Sequence, residues 1–313
     1  VYEQKTLAGV GGTVLSDTIN TPWASAVTAN DGTNTARMTD VSDSVVTEPV
    51  STGGTRTVHT TSTFDPTYGF PLTVSTVASD ASSTCTTTTH TAANTTAWII
   101  GLPSEVKSVG VSCPNLASAS YPADLISDTQ TYYDSTALGV APTKGDATST
   151  KQVDGYTSGT PHWSAASTAA YDSLGRLTAT SDVLGHTTTT AYTPATGGPV
   201  TSIKVTNTAP FSWPTTTAYN PEWGVETSVT DPNGHLTTAT YDALGRRTQV
   251  WLPQHTQSAN PSAPSISYAY TLSQTAANAI QTTRLTATST DVRYDLFDGL
   301  GQQVQSQQPA DGS

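Results

Sequence analysis

The sequence predicts an all-β fold, with tandem antiparallel β-hairpins joined into one continuous, curved sheet. Three observations predict it. Turn signatures fall 10 or 11 residues apart, from Asp172 to Asp182, Asp182 to Tyr192 and Asp231 to Asp242, a spacing that belongs to short strands and tight reversals. The runs between them are β-branched, as in Thr187-Thr188-Thr189-Thr190-Ala191 and Thr237-Thr238-Ala239-Thr240, and β-branching favours the pleated sheet. Helical periodicity is almost absent, and Ser273 to Ile280 is the one stretch that concedes a helical turn.

Residues 1–60 read as an N-terminal β segment. They alternate strand-like runs with turns such as Ala8-Gly9-Val10-Gly11-Gly12-Thr13 and fit diverged repeats of the same sheet. Residues 61–313 read as a repeat array. Its first member, Phe64-Asp65-Pro66-Thr67-Tyr68-Gly69, carries one extra residue before the Gly, and Tyr133-Asp134 through Gly139 is more degenerate. The clearest copy is Tyr171-Asp172-Ser173-Leu174-Gly175-Arg176-Leu177-Thr178. A second element, Asp182-Val183-Leu184-Gly185-His186, then leads through a Thr-rich run to Tyr192. Tyr219-Asn220-Pro221-Glu222-Trp223-Gly224 is another lengthened copy. Asp231-Pro232-Asn233-Gly234-His235 repeats the second element, and Tyr241-Asp242-Ala243-Leu244-Gly245-Arg246 repeats the first. Phe297-Asp298-Gly299-Leu300-Gly301 closes the series. Tyr171, Tyr192, Tyr219 and Tyr241 are separated by 21, 27 and 22 residues, and such self-similarity marks a repeat architecture.

Each residue type has a mechanical role. The aromatic ends a strand and its ring fills the layer beneath the turn. The Asp accepts backbone N–H groups two residues on. The Gly supplies the left-handed position that reverses the chain. The Arg starts the return strand, placed to stack on the aromatic or pair with the Asp. Asp231-Pro232-Asn233-Gly234 reads as a type I turn. The most apolar run, Ala97-Trp98-Ile99-Ile100-Gly101-Leu102, is strand-sized.

Composition narrows the function. Charged residues are 12% of the chain, about half the ordinary share, so hydroxyls and small residues make the surface, which fits an extracellular setting. The net charge of -12 argues against nucleic acid, because nothing offers a basic patch to phosphates. Spread over 313 residues, with 13 Tyr and 6 Trp, that charge is too dilute to keep the chain disordered. No run of about 18 apolar residues exists, so no membrane helix is expected. The chain opens at Val1 without a basic and apolar leader, and is read as an internal piece of a longer protein.

The Tyr-Asp-x-x-Gly-Arg-x-Thr element followed by Asp-x-x-Gly resembles the YD repeat of the RHS family, which includes bacterial polymorphic toxins, insecticidal toxin complex C subunits and teneurins. The match is strongest over residues 171–192 and 231–251, good at 297–303, and weaker toward the N-terminus. The resemblance implies a strip of hairpins spiralling into a hollow β-cocoon shell around another part of the polypeptide, often a toxin. Toxin-branch members cut themselves at an Asp-Pro-x-Gly element near the end of the shell. Asp231-Pro232-Asn233-Gly234 matches it in letters but sits mid-array, in the place of Asp182-Val183-Leu184-Gly185, and is read as a turn.

No enzyme is expected. The five Glu offer only Glu222 and Glu226 as a close pair, set around a turn, where a glycosidase needs two carboxylates flanking one bond. The six His are scattered, and His186 and His235 follow turn glycines. No cofactor or metal is expected, since no acidic Asp-x-Asp cluster or Cys-x-x-Cys pair occurs. Cys85 and Cys113 are either a disulfide closing 28 residues or two unrelated buried thiols; the extracellular composition favours the bond. Trp163, Trp213, Trp223 and Trp251 are candidates for stacking on sugar rings, against the plainer reading that they pack between hairpins. The expected function is a non-enzymatic wall segment of a secreted shell whose partners are the remaining repeats and a C-terminal cargo. The alternative is a carbohydrate-binding or adhesive surface module.

Overall fold

The computed structural model describes residues 1–51, 53–208 and 211–309. It is almost entirely β, with 22 of its strands in antiparallel sheet and one separate pair, Ala29–Asn30 with Thr35–Ala36. The chain divides into two compact units: residues 1–171 with 180–185, and residues 172–179 with 186–313.

In the first unit the main strands run in order: Tyr2–Leu7, Val14–Ala24, Thr39–Pro49, Thr55–Phe64, Pro71–Ala78, Ser83–His90, Pro103–Val109, Leu125–Tyr133, Ala147–Thr157 and Ser167–Tyr171. Each pairs antiparallel with the next. The second unit repeats the scheme through Thr187–Thr193, Ser202–Asn207, Trp213–Asn220, Val225–Thr230, Leu236–Tyr241, Arg247–Trp251, Ile266–Thr271, Asn278–Leu285, Thr290–Phe297 and Gln303–Gln307. Sequence neighbours are therefore sheet neighbours, as short hairpin connections require. Every second turn of a unit falls on the same edge of its sheet.

The motif aromatics end strands on that edge, and a bulge sits beside them. The register shifts between Thr63 and Phe64, Tyr132 and Tyr133, Ala218 and Tyr219, Thr240 and Tyr241, and Leu296 and Phe297. A bulge re-aims the side chain that follows it. The same shift occurs between Thr89 and His90. That position carries no motif, yet the backbone pairs as it does at a repeat.

One local expectation fails. Residues 273–280 form no helix: Ser273 Oγ accepts the N–H groups of Thr275 and Ala276, and a strand begins at Asn278. These are the bonds a helix-capping Ser makes, but Asn278 Oδ1 accepts the Ser273 N–H and the chain passes straight into a strand. The strand-sized apolar run 97–102 lies in a turn. Trp98 and Gly101 take positive φ (55° and 72°), and Ile99 bridges back to Asn94 as part of a long turn. The described residues contain one short helix, the 3-10 segment Cys113–Ser118.

Candidate functional site

The repeated turn is the most developed polar structure in the chain. Asp172 Oδ1 accepts the N–H groups of Leu174 and Arg176 at 2.9 and 3.0 Å, and Arg176 Nε donates to Asp172 Oδ2 at 2.6 Å. Asp242 repeats this with Leu244, Arg246 and the Arg246 Nε at 2.9, 2.9 and 2.7 Å. Asp298 keeps both backbone bonds, to Leu300 and Gln302, but Gln302 stands where the Arg would. In the second element, Asp231 accepts from Asn233 and His235, and the His235 ring lies 3.0 Å from its other oxygen. Asp182 accepts the N–H of Leu184. Asn220 performs the same service for Glu222 and Trp223, and Asp65 for Thr67 and Tyr68. The Arg246 amide and guanidinium hold the Asp242 carboxyl below its ordinary range, and the His235 amide does the same for Asp231.

At Asp134 the turn is enlarged. Its carboxylate accepts the N–H groups of Thr143, Lys144, Gly145 and Asp146. Burial pushes this carboxyl up, but the four amides outweigh it and bring it down to about 2. The glycine that closes this turn is Gly145 (φ 86°), six residues beyond the Gly139 singled out from sequence. An inserted segment had displaced it.

The tyrosines obey a rule that sequence reasoning missed. Tyr192 donates its hydroxyl to the Leu177 carbonyl, Tyr241 to Glu226, Tyr270 to Arg247, Tyr171 to Ala147 and Tyr133 to Pro103, at 2.6 to 3.1 Å. Each acceptor lies two residues after a positive-φ turn glycine: Gly175, Gly224, Gly245, Gly145 and Gly101. The ring therefore ties the end of one strand to the start of its antiparallel neighbour. The rings are half-buried, and the hydroxyl makes a fixed rung across the edge.

The arginines extend the rung. Arg176 pairs with its own Asp172, lies 4.4 Å over the ring of Tyr192, and donates to the Ala195 carbonyl. Arg246 pairs with Asp242 and lies 4.5 Å over Tyr270. Each Arg thus stacks on the aromatic of the following edge turn, and the return strands begin one residue after it, at Leu177 and Arg247.

The family model described as RHS Repeat matches residues 223–254, a span running from Trp223 through the Asp231 and Asp242 turns. That stretch carries an RHS repeat. The fold of the chain is shared with solved structures of TcdB2-TccC3. A crystal structure of TcdB2-TccC3 superposes with a TM-score of 0.68 at 12% identity, over 94% of this chain and 20% of that one. TcdB2-TccC3 without its hypervariable C-terminal region gives 0.68 at 12%, over 94% and 22%. The TcdB2-TccC3-Cdc42 structure gives 0.67 at 11%, over 94% and 22%. The chain spans about a fifth of the length of these solved chains. No curated protein matches it.

Glycines on the turn edge do more than adopt positive φ. A Cβ on Gly245 would stand 3.1 Å from the Trp223 ring, one on Gly101 2.9 Å from Phe70, and one on Gly69 2.8 Å from Met38. In each case a side chain from the preceding edge turn lies across the glycine. Sequence separation hides such contacts.

Cys85 and Cys113 are joined in a disulfide with Cα atoms 4.8 Å apart. It anchors the Cys113–Ser118 helix to the strand Ser83–His90, and Ser75 Oγ accepts the Cys113 N–H. The candidate sugar-stacking tryptophans separate. Trp251 is 1% exposed and donates its Nε1–H to the Asn260 carbonyl, so it is a core residue and presents no face to a sugar. Trp223 is half exposed but covers Gly245. Trp163 is half-buried. Trp213 is 53% exposed and stacked on Phe211 at 4.7 Å. Glu226 lends its backbone carbonyl to Tyr241, while Glu222 sits exposed on the Asn220 turn.

Proposed function

We propose that the chain is a non-enzymatic wall segment of a longer, secreted RHS protein whose shell encloses a C-terminal toxin or effector. The superposition of 94% of this chain on a fifth of TcdB2-TccC3 carries the proposal, because a segment that aligns throughout with part of a large assembly serves as part of one. A hypervariable C-terminal region, present in that relative, is the counterpart of the cargo. The edge turns support the same reading. Their Asp, Arg and Tyr groups are spent on one another and on neighbouring backbone, which suits a wall stabilised through neighbour contacts. The segment's partners are then the remaining repeats and the cargo of its own polypeptide. Intact mass and peptide mapping of the native polypeptide from culture supernatant test this. A C-terminal fragment protected from added protease until the shell is denatured is the expected result. A polypeptide whose C-terminal region is digested as fast as its exposed loops overturns it.

Glycan binding is a second reading, favoured by the exposed Phe211–Trp213 stack. Titrating polysaccharides against tryptophan fluorescence tests it, with Trp213→Ala as the control. No response across a broad panel sinks it.

A further inference from the structure

One edge turn of the first unit breaks the repeat rule. His90 and Thr91 stand where other turns carry aromatic and Asp. The bulge precedes His90, the Thr91 N–H donates to the Leu102 carbonyl as Asp172 does to Arg176, and Tyr133 reaches the Pro103 carbonyl in the usual way. Yet His90 Nδ1 and Thr91 Oγ1 are both shielded from solvent and have no hydrogen-bond partner, with Thr91 only 7% exposed. Buried polar atoms left unpaired are costly, so this turn departs from its neighbours in energetics as well as in sequence.

Both residues line an open cleft of about 420 Å³ together with Asp65, Tyr68 and Phe70. Tyr68 and Phe70 stack with centroids 6.1 Å apart, and the Phe70 ring lies 3.9 Å from that of His90. Gly101 keeps the shelf in place, since any Cβ there would meet Phe70 at 2.9 Å. The lining thus offers aromatic faces, a carboxylate, a hydroxyl and an imidazole, and no Lys or Arg among the described residues. Burial lowers the His90 ring below its usual range, so it adds no positive charge to the cleft at pH 7.

We infer that this cleft binds an organic cation, an ammonium or guanidinium group on a short alkyl stem. Aromatic faces attract a cation through their quadrupoles, and the Asp65 carboxylate on the same cleft accepts the N–H groups that such a headgroup carries. The chain's net charge of -12 raises the local concentration of cations. The headgroup is carried either by a free amine or by a Lys or Arg side chain of a polypeptide.

The test titrates the 313-residue chain with four probes and reads binding by calorimetry and by the His90 ring resonances. Butylammonium and butylguanidinium stand for the free amine, N-acetyl-lysine amide and N-acetyl-arginine amide for the polypeptide source, and butyramide is the neutral control. Cations are expected to bind and to shift His90, with butyramide about tenfold weaker or worse. Asp65→Asn is expected to weaken the cations about tenfold while keeping the turn, because Asn220 already holds the sister turn. Phe70→Leu provides a second variant that removes the ring face and weakens binding severalfold. Preference for the amino-acid amides identifies a polypeptide side chain as the source, and preference for the alkyl cations a free amine. Butyramide binding as tightly, no binding by any cation, or unchanged affinity in both variants overturns the inference.

Discussion

Asp128 makes the stability of this chain depend on pH in a direction opposite to that of the turn carboxylates. Its side chain is 3% exposed on the strand Leu125–Tyr133, with Oδ2 3.7 Å from Lys107 Nζ and Oδ1 unpartnered. Lys107 is itself drawn over the Tyr121 ring at 4.1 Å, and Tyr121 stacks on Tyr156. Burial, helped by the nearby Glu105 charge, raises the Asp128 carboxyl to about 6. A group whose folded pKa lies above its unfolded value stabilises the fold fully below the unfolded value, and that contribution is lost as pH rises through the folded value. The window here runs from about pH 4 to 6. A shift of about two pH units is worth at most ~3 kcal/mol at pH 7. Asp128→Asn has the shape of the neutral acid, so it is expected to stabilise the chain by about 1–3 kcal/mol at pH 7 and by close to nothing at pH 4. His90, lowered by burial, works in the opposite sense over a neighbouring range; taking the difference between variant and parent removes it. Urea unfolding followed by circular dichroism at half-unit steps from pH 4 to 8 gives that difference. A difference that is flat with pH, or an Asn variant less stable than the parent at pH 7, refutes the reasoning.

Three further outcomes follow from the edge turns and the disulfide. Gly175→Ala and Gly245→Ala both place a Cβ at positive φ, at a cost of about 1–2 kcal/mol, but only Gly245→Ala meets a ring; Gly245→Ala is expected to be the more destabilising in the same urea titration, and equality removes the Trp223 contact from the account. Tyr192→Phe and Tyr241→Phe delete only the hydroxyl rung and are expected to cost about 0.5–1.5 kcal/mol each, so a neutral result at both sites shows that the rung is incidental. Cys85→Ser with Cys113→Ser is expected to cost about 3 kcal/mol through loop closure, read as a lower urea midpoint for the first unit; an unchanged midpoint shows that the bond adds nothing to that unit.

Local rules made the hairpins legible. A β-branched run must extend, Asp followed by Gly must reverse the chain, and an antiparallel neighbour is the nearest partner for each strand, so the meander was written in residues a dozen apart or fewer. Asp172, Asp231 and Asp242 could be assigned their amide-binding roles for the same reason. Local rules also misled at Ser273, whose cap-like bonds to Thr275 and Ala276 lead into a strand instead of a helix.

The sequence by itself determined the all-β class, the positions of the clear turns, and the Asp–amide bonds within each turn, all set by residues a few places apart. Only the tertiary structure decided what spans turns. It placed Arg176 on Tyr192 and Arg246 on Tyr270, each Tyr hydroxyl on a carbonyl two residues past a distant glycine, Trp223 across Gly245, and Trp251 in the core. It also set His90 and Thr91 beside a cleft, with His90 Nδ1 and Thr91 Oγ1 buried and unpaired. Those contacts depend on which strands become neighbours and on how insertions such as 135–144 displace a glycine. A linear pattern does not record either, because strand spacing and bulge register are fixed only when the sheet has formed.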